Sequence, residues 1–178
     1  MNIKNFEFKA KVDDIEMYEN KLLTLRPEFK GLDHQVDTYF NVQYGRLKLR
    51  EGNIENSLIN YDREDVAASK ASQVILYRHV PDIALKNILI RQLGVKAIVD
   101  KRRKIYFIGN VKFHFDVVEN LGTFIEVEAI DEHEAFTIEE LKSQCDHYFK
   151  FFELTKQDVI DRSYCDLIIE LKSKQSDG

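Results

Sequence analysis

The chain has 178 residues, of which 44% are hydrophobic and 32% charged, which excludes wholesale disorder and favours one packed domain. Its net charge of −5 argues against non-specific nucleic-acid binding, and no apolar run approaches the roughly 20 residues of a membrane span. Cys145 and Cys165 show no metal-ligand spacing and are expected to be reduced. We therefore expect a cytoplasmic protein without nucleic-acid or membrane partners.

Alternating apolar and polar residues predict strands, whereas apolar residues spaced three or four apart predict helices. Residues 3–12 form the first predicted strand, and an amphipathic helix follows from Asp13 to Pro27. A second helix runs from Pro81 to Gly94 and is expected to bury Ile83 and Ile88. The strands predicted between these helices cover residues 34–41, 45–51, 57–63 and 71–79.

The second half of the chain contains three more strands and two more helices. The strands are predicted at 95–108, 110–119 and 123–130, joined by short turns that contain glycine. Thr137 and Glu140 form a capping-box pattern at the start of the third helix, and the fourth is predicted over 155–172. This order predicts an α+β fold with an antiparallel sheet, one domain over residues 1–172 and a frayed tail over 173–178.

Charged side chains occupy alternate positions in six of the eight predicted strands and therefore share one face of each strand. This face either lies outside in solvent or lines a closed barrel whose apolar exterior is covered by helices. The interior is favoured because Lys and Arg dominate the earlier strands and carboxylates the last two. The predicted lumen has a net charge of +3, from seven bases and four acids. They are Lys9, Lys11, Lys48, Arg50, Arg63, Lys101, Arg103, Glu7, Asp116, Glu126 and Glu128.

Charges as dense as these destabilise a fold unless ligands compensate them. Lys and Arg bind the oxygens of a chain of phosphates, and carboxylates bind a hard divalent cation such as Mg²⁺ or Mn²⁺. Glu126 and Glu128 are the best candidate metal ligands because they lie one pleat apart, and Glu7 and Asp116 complete the set. The alternative is that these carboxylates form salt bridges to the bases of the lumen.

Seven motifs follow one another along residues 3–168 in an order that is similar to that of a known family. They are Glu7-Phe8-Lys9-Ala10-Lys11, His34–Phe40, Arg46–Glu51, Leu58–Arg63, Lys101–Tyr106, His114–Asp116 with Leu121–Glu128, and Ser163–Leu167. This succession resembles the CYTH superfamily, the triphosphate tunnel metalloenzymes, and most closely its class IV adenylyl cyclase-like branch. The resemblance implies an eight-stranded antiparallel tunnel, which the alternation of the strands indicates independently.

The resemblance also implies a divalent-metal-dependent enzyme that acts on a small triphosphate. The reaction is then either cyclisation of ATP to cyclic AMP and pyrophosphate, or hydrolysis of tripolyphosphate, thiamine triphosphate or a nucleotide. We assign Glu7, Lys11 and Arg103 as the candidate catalytic residues. The candidate phosphate-binding residues are Lys9, Lys11, Lys48, Arg50, Arg63, Lys70, Lys101 and Arg103, where Lys70 matches a basic position of relatives.

The chain departs from the family signature E-x-E-x-K at its middle position, where Lys9 stands instead of glutamate. The resemblance implies that this glutamate helps to hold the metal, so the site has one carboxylate fewer. The alternative function is therefore a non-catalytic module that binds polyphosphate or a nucleotide. A lipocalin-type barrel for an apolar ligand is disfavoured by the charged lumen. Association into a homodimer stays open.

Overall fold

A computed structural model describes residues 2–61 and 70–176 of the chain. Its strands are β1 Asn2–Lys11, β2 Glu28–Phe40, β3 Arg46–Glu51, β4 Ser57–Tyr61, β5 Lys70–Arg78, β6 Val95–Ile108, β7 Val111–Val118 and β8 Gly122–Asp131. Its helices are α1 Ile15–Leu23, α2 Ile83–Leu93, α3 Ile138–Phe151 and α4 Tyr164–Ser176. Within these ranges, no helix combines the length and the apolar character that crossing a membrane requires.

The strands pair antiparallel in the order β1-β5-β4-β3-β2-β6-β7-β8, and β1 closes the barrel by pairing with both β5 and β8. A closed barrel leaves no strand edge unpaired, so backbone polar groups along the circle find partners. The predicted α+β class and the eight-stranded antiparallel barrel are confirmed.

The apolar exterior of one half of the barrel is covered by α1 and α3. Phe6 and Phe113 on the strands pack with Leu22 of α1 and with Leu141 and Cys145 of α3 in one buried cluster. The N-terminus of α3 has the predicted capping box, in which the Thr137 side chain and the side chain of its third residue each accept from the other's backbone. This packing turns the polar face of the strands inward.

One end of the barrel is closed by α4. Tyr164, Cys165 and Ile168 of this helix pack against inward-facing side chains that include Val99 and Phe124. Because residues 39, 97, 99, 118 and 124 have the parity of the lumen, this second cluster plugs the barrel at that end. The charged cavity therefore lies between this plug and the opposite end.

The prediction that the last helix begins near residue 155 is wrong, because the chain is extended where it approaches β1. The Lys11 amide donates to the Asp158 carbonyl at 2.9 Å, and the Ile160 amide donates to the Lys9 carbonyl at 2.8 Å. The helix begins only after Ser163, whose hydroxyl accepts a hydrogen bond from the backbone amide of Asp166. Backbone pairing with the barrel thus replaces the first turns of the predicted helix.

Helix α2 differs from the other three because it contributes no buried residue. Ile83 and Ile88, which the sequence predicts to be buried, are 66% and 59% exposed. The helix is attached to the outside of the sheet by the ion pair between Lys86 and Glu51, with an Nζ–Oε2 distance of 2.6 Å. The expected burial is therefore wrong for this helix.

Candidate functional site

The inward faces of the strands enclose a cavity of about 250 Å³. Among the described residues, its walls contain seven bases and six acids. They are Lys9, Lys48, Arg50, Arg78, Lys101, Arg103, Lys112, Glu7, Asp37, Glu55, Glu126, Glu128 and Glu132. The charged faces thus line the interior, and the alternative of a solvated outer face is wrong. Among the described wall residues the bases outnumber the carboxylates by only one, and Arg63, one of the bases in the predicted excess of three, lies outside the described residues.

Lys48, Arg50 and Lys101 form a basic wall of the cavity around one carboxylate, that of Asp37 of β2. Asp37 lies opposite Arg50 of β3 in the sheet register. Arg50 donates to both of its oxygens, from Nε at 2.9 Å and from Nη2 at 3.0 Å. Lys101 Nζ lies 2.7 Å and Lys48 Nζ 3.3 Å from its Oδ2 atom. Burial alone would raise the pKa of Asp37, but the three cations hold it well below its usual range.

Lys101 of β6 is a cation in a dry environment, with 1% of its side chain exposed. Its pKa is lowered to about 7, mainly by burial and to a smaller extent by the cations Arg50 and Arg103, against the opposing effect of Asp37. The Lys101 ammonium is therefore the base of this wall whose charge titrates near neutral pH.

Arg103 and Asp116 form a second buried ion pair between β6 and β7. Arg103 donates from Nε to Asp116 Oδ1 at 2.7 Å and from Nη2 to Oδ2 at 2.5 Å. The Tyr164 hydroxyl donates to the same Oδ2 atom at 2.8 Å, and Asp116 is fully buried. All the carboxylate oxygens are thus engaged by side chains of the protein.

Glu126 of β8 lies beside this pair and is also surrounded by cations and donors. Lys9 Nζ lies 3.4 Å from its Oε2 atom, and Arg103 Nη2 lies 3.5 Å from Oε1. His114 Nδ1 is 3.0 Å from Oε1, and the imidazole is neutral because burial and the nearby cations Arg103 and Lys112 lower its pKa to about 4. Its Nε2 atom is buried without a hydrogen-bond partner in the described part of the chain.

Glu7 and Glu128 complete the four carboxylates of the predicted metal site. They lie opposite each other in the register of β1 and β8, and Asn5 Nδ2 donates to Glu128 Oε1 at 2.6 Å. Across residues 2–61 and 70–176, no group of three or more His, Cys, Asp or Glu side chains is arranged to hold a metal ion. Because Asp116 and Glu126 are already paired with Arg103 and Lys9, the predicted set does not fit a divalent metal in this arrangement.

Of the remaining predicted residues, one lies apart from the cavity, and the side chains of the other two lie outside the part of the chain that the structure describes. Lys11 is exposed, does not line the cavity, and places its ammonium 5.9 Å from the ring centroid of Phe124. Arg63 lies outside the described residues. Lys70 pairs with Glu7 through the backbone of β5, and its side chain is outside the description.

Five charged residues of the cavity wall are absent from the sequence-based set: Asp37, Glu55, Arg78, Lys112 and Glu132. Asp37 and Lys112 have the same strand parity as Tyr39 and His114, so the alternation rule could have found them. Glu55 lies in the loop between β3 and β4, where no alternation exists that could predict its orientation.

The CYTH domain model matches residues 4–164 of the chain. Among solved structures, the PH1012 protein from Pyrococcus horikoshii OT3 is 25% identical, with a TM-score of 0.76 over 92% of this chain and 99% of that one. A proposed adenylate cyclase from Vibrio parahaemolyticus is 19% identical, with a TM-score of 0.76 over 94% of this chain and 98% of that one. A proposed adenylyl cyclase from Hippeastrum with a dominant triphosphatase activity is 12% identical, with a TM-score of 0.58 over 86% and 88%. A search of curated proteins found no match.

The structures from Vibrio parahaemolyticus and Hippeastrum share the fold of this chain. The family model covers nearly all of the barrel together with the start of α4. The closed antiparallel barrel with inward-facing charges is also the architecture that the motif resemblance implies. The chain therefore belongs to the CYTH domain family.

Proposed function

We propose that the chain binds the phosphate chain of a small linear triphosphate in the barrel cavity and hydrolyses its terminal phosphate. The observation that carries this proposal is the convergence of seven Lys and Arg side chains on one enclosed space. Members of the CYTH family are adenylyl cyclase-like or triphosphatase enzymes that act on triphosphates such as ATP. Cavity chemistry and family membership thus support the same substrate class.

The cations come from different strands, so a bound chain of phosphates would be held from several sides. Lys48 and Arg50 project from β3, Lys101 and Arg103 from β6, and Lys112 from β7. In hydrolysis, water attacks the terminal phosphorus, the bond to the bridging oxygen breaks, and diphosphate leaves while the proton of water is released. Fixed cations around the phosphoryl oxygens stabilise the charge of that transition state without reorganising.

The size of the cavity favours hydrolysis over cyclisation. Its volume of about 250 Å³ lies below the roughly 300–1,000 Å³ of sites that enclose drug-sized ligands. Cyclisation requires the ribose 3′-hydroxyl and the α-phosphorus of ATP to meet inside the site, whereas hydrolysis needs only the phosphate chain there. Inorganic tripolyphosphate is therefore the first substrate to test.

A non-catalytic binding module is the second candidate function, and the position of Lys9 favours it. Its ammonium lies 3.4 Å from Glu126 Oε2. It therefore occupies the position that a metal cation would need in order to bridge this carboxylate and a bound polyanion. Enzymes of this family depend on divalent metal in general. Because the described carboxylates form no common metal site, we assign no step to Mg²⁺ or Mn²⁺, and both ions enter the experiment as variables.

The test incubates the protein with tripolyphosphate, ATP or thiamine triphosphate, each with EDTA, Mg²⁺ or Mn²⁺, and separates the products by ion-exchange chromatography. We expect orthophosphate and diphosphate from tripolyphosphate. Cyclic AMP and pyrophosphate from ATP would instead assign the cyclase reaction. Binding detected by calorimetry without any product would assign the binding module.

A pair of variants separates true turnover from contaminating phosphatase. Lys48→Met removes a cation from the cavity wall, and Lys96→Met removes a cation from an exposed position of β6. Turnover should fall in the first variant and persist in the second. Equal turnover in both variants would contradict a reaction in this cavity.

A further inference from the structure

The loop between β3 and β4 inserts one carboxylate, that of Glu55, into the wall of the cavity. Its Oε2 atom lies 3.0 Å from Arg50 Nη1 and 3.0 Å from Gln35 Nε2. Its Oε1 atom accepts a hydrogen bond from Lys112 Nζ. Donors from β2, β3 and β7 therefore converge on a single anionic group that none of these strands carries.

Asp33 of β2 anchors the backbone of this loop. This carboxylate is fully buried and accepts from the amides of Ile54 and Glu55, each at 2.9 Å. Gly52 lies so close to it that a Cβ atom there would be 2.7 Å from Asp33 Oδ1. Because the backbone is held in this way, Glu55 can leave its three donors by rotation of its side chain alone.

Glu55 differs in this respect from Asp37, the other carboxylate that binds Arg50. Asp37 lies on a strand with 2% of its side chain exposed, so rotation cannot bring its carboxylate to solvent. The side chain of Glu55 is 24% exposed and belongs to a loop. Asp37 is thus a permanent counterion of the basic wall, whereas Glu55 is exchangeable.

The three donors have the chemistry of a phosphoryl-binding site. A guanidinium, an ammonium and an amide N–H donate charge-assisted and neutral hydrogen bonds to anionic oxygens. A carboxylate presents two such oxygens and one negative charge, so it resembles part of a phosphoryl group. The neighbouring Lys112 and Arg50 hold the pKa of Glu55 well below its usual range despite its burial, which keeps this group ionised.

We propose that Arg50, Lys112 and Gln35 form a phosphoryl subsite of the cavity, and that the carboxylate of Glu55 occupies it until a phosphoryl group displaces it. The inference rests on the proposed function, since a triphosphate supplies the displacing group. Glu55 then sets the affinity of the cavity for its ligand, because each binding event must break the two ion pairs of this carboxylate.

The experiment measures the affinity of Glu55→Gln for tripolyphosphate and for orthophosphate by calorimetry. Loss of the competing charge should tighten tripolyphosphate binding by about tenfold, since a unit charge a few ångströms away contributes at least 1.4 kcal/mol in a partly buried site. Glu51→Gln is the matched control. Glu51 is equally exposed, at 24%, and pairs with Lys86 on the outer face of β3, so its variant should bind like the wild type.

A double-mutant cycle with Lys112→Met tests whether the gain arises at this subsite. Lys112→Met alone should weaken binding, and adding Glu55→Gln to it should give a smaller gain than in the wild type. Circular dichroism melting monitors the fold of each variant. Glu55→Asp serves if Glu55→Gln does not fold, because it withdraws the charge from both cations and should also tighten binding.

Three results would overturn the subsite. Unchanged or weaker tripolyphosphate binding by Glu55→Gln, with binding by the wild type intact, overturns the subsite and leaves the proposed function standing. A gain of the same size with and without Lys112 also overturns it. If neither the wild type nor any variant binds tripolyphosphate or orthophosphate, the proposed function fails together with the subsite.

Discussion

The Lys9 ammonium lies 3.4 Å from Glu126 Oε2 and 4.1 Å from the ring centroid of Tyr164. It is a cation that the chain itself places beside the Glu126 carboxylate. Both side chains are nearly buried, with 12% and 11% exposed, so solvent screens their attraction weakly. A divalent ion at the same carboxylate would meet this ammonium at close range, and like charges at such distances repel.

We expect Lys9→Glu to create a metal site that the wild type lacks. Two changes in this variant favour metal binding, because the competing cation disappears and a carboxylate joins Glu7, Glu126 and Glu128. The melting temperature of Lys9→Glu should rise with Mn²⁺ or Mg²⁺, while that of the wild type should hardly change. Lys30→Glu, at an exposed position of β2, is the control for the change in net charge. A wild type that is stabilised by Mn²⁺ without tripolyphosphate would contradict this expectation.

Asp37→Asn should destabilise the ligand-free protein, because Arg50, Lys48 and Lys101 lose their shared counterion. Breaking a buried ion pair by removing one partner costs about 3–5 kcal/mol, so the free energy of unfolding in urea should fall by an amount of that order. Asp100→Asn is the control, because Asp100 pairs with His34 at an exposed site. It should change stability by less than about 0.5 kcal/mol.

Tripolyphosphate should restore much of the stability that Asp37→Asn loses. A polyanion binds the cations that Asp37 neutralises in the wild type, and a ligand that binds only the folded state stabilises it by mass action. The shift of the melting temperature at a given tripolyphosphate concentration should therefore be larger in the variant. A smaller shift than in the wild type would indicate that Asp37 positions the cations for the ligand instead of competing with it.

Binding should be coupled to protonation of Lys101, whose pKa is lowered by burial to about 7. The charged form predominates below that pH and binds the polyanion, so affinity should fall as the pH rises through about 7. A bound polyanion favours the ammonium, so the wild type should take up a proton when it binds near pH 8. Calorimetry in two buffers of different ionisation enthalpy measures this uptake.

Lys101→Met separates this effect from the titration of the ligand itself. The variant should bind more weakly than the wild type at pH 6, and the difference should shrink towards pH 9, where Lys101 is neutral in the free protein. It should also take up fewer protons near pH 8. An equal proton uptake in both proteins would assign it to tripolyphosphate or to another group.

Lys48 and Arg103 both line the cavity, but only the loss of Arg103 should reduce stability. Lys48→Met should weaken tripolyphosphate binding by about 1.5–3 kcal/mol, the range of hydrogen bonds to charged groups, and leave stability close to that of the wild type. The reason is that Arg50 and Lys101 continue to neutralise Asp37 at 2.9 and 2.7 Å. Calorimetry and urea unfolding measure the two quantities.

Arg103→Met should instead lower the free energy of unfolding by about 3–5 kcal/mol, because it leaves the buried Asp116 carboxylate without its cation. Arg102→Met, at the next and exposed position of β6, is the control and should be nearly neutral. If Arg103→Met is as stable as the wild type, Asp116 must be neutralised in another way, such as by protonation of its carboxylate.

Which side chains of a strand share one face follows from the sequence, because the alternation along a strand is a local property of the backbone. Parity alone places Lys9, Lys101 and Glu126 in the lumen, and the cavity contains all three. The expectation that helices cover the apolar outer faces of the strands also follows from local patterns, because both kinds of element show one apolar face. The start of α4 does not follow, because it depends on pairing between residues 158–160 and β1.

The partners of these charges do not follow from the alternation, because they come from elements far apart in the chain. Lys101 meets Asp37 across 64 positions of sequence, and Glu55 meets Lys112 across 57. Such pairs depend on the strand order and register of the closed barrel, which are non-local and are not encoded in the alternation of any one strand. Glu55 also lies in a loop, where its backbone is anchored by Asp33 and its carboxylate is held by donors from three strands. Closure of the barrel brings carboxylates from distant strands and one loop into the same cavity as the bases, so the described charges form ion pairs that no single strand predicts.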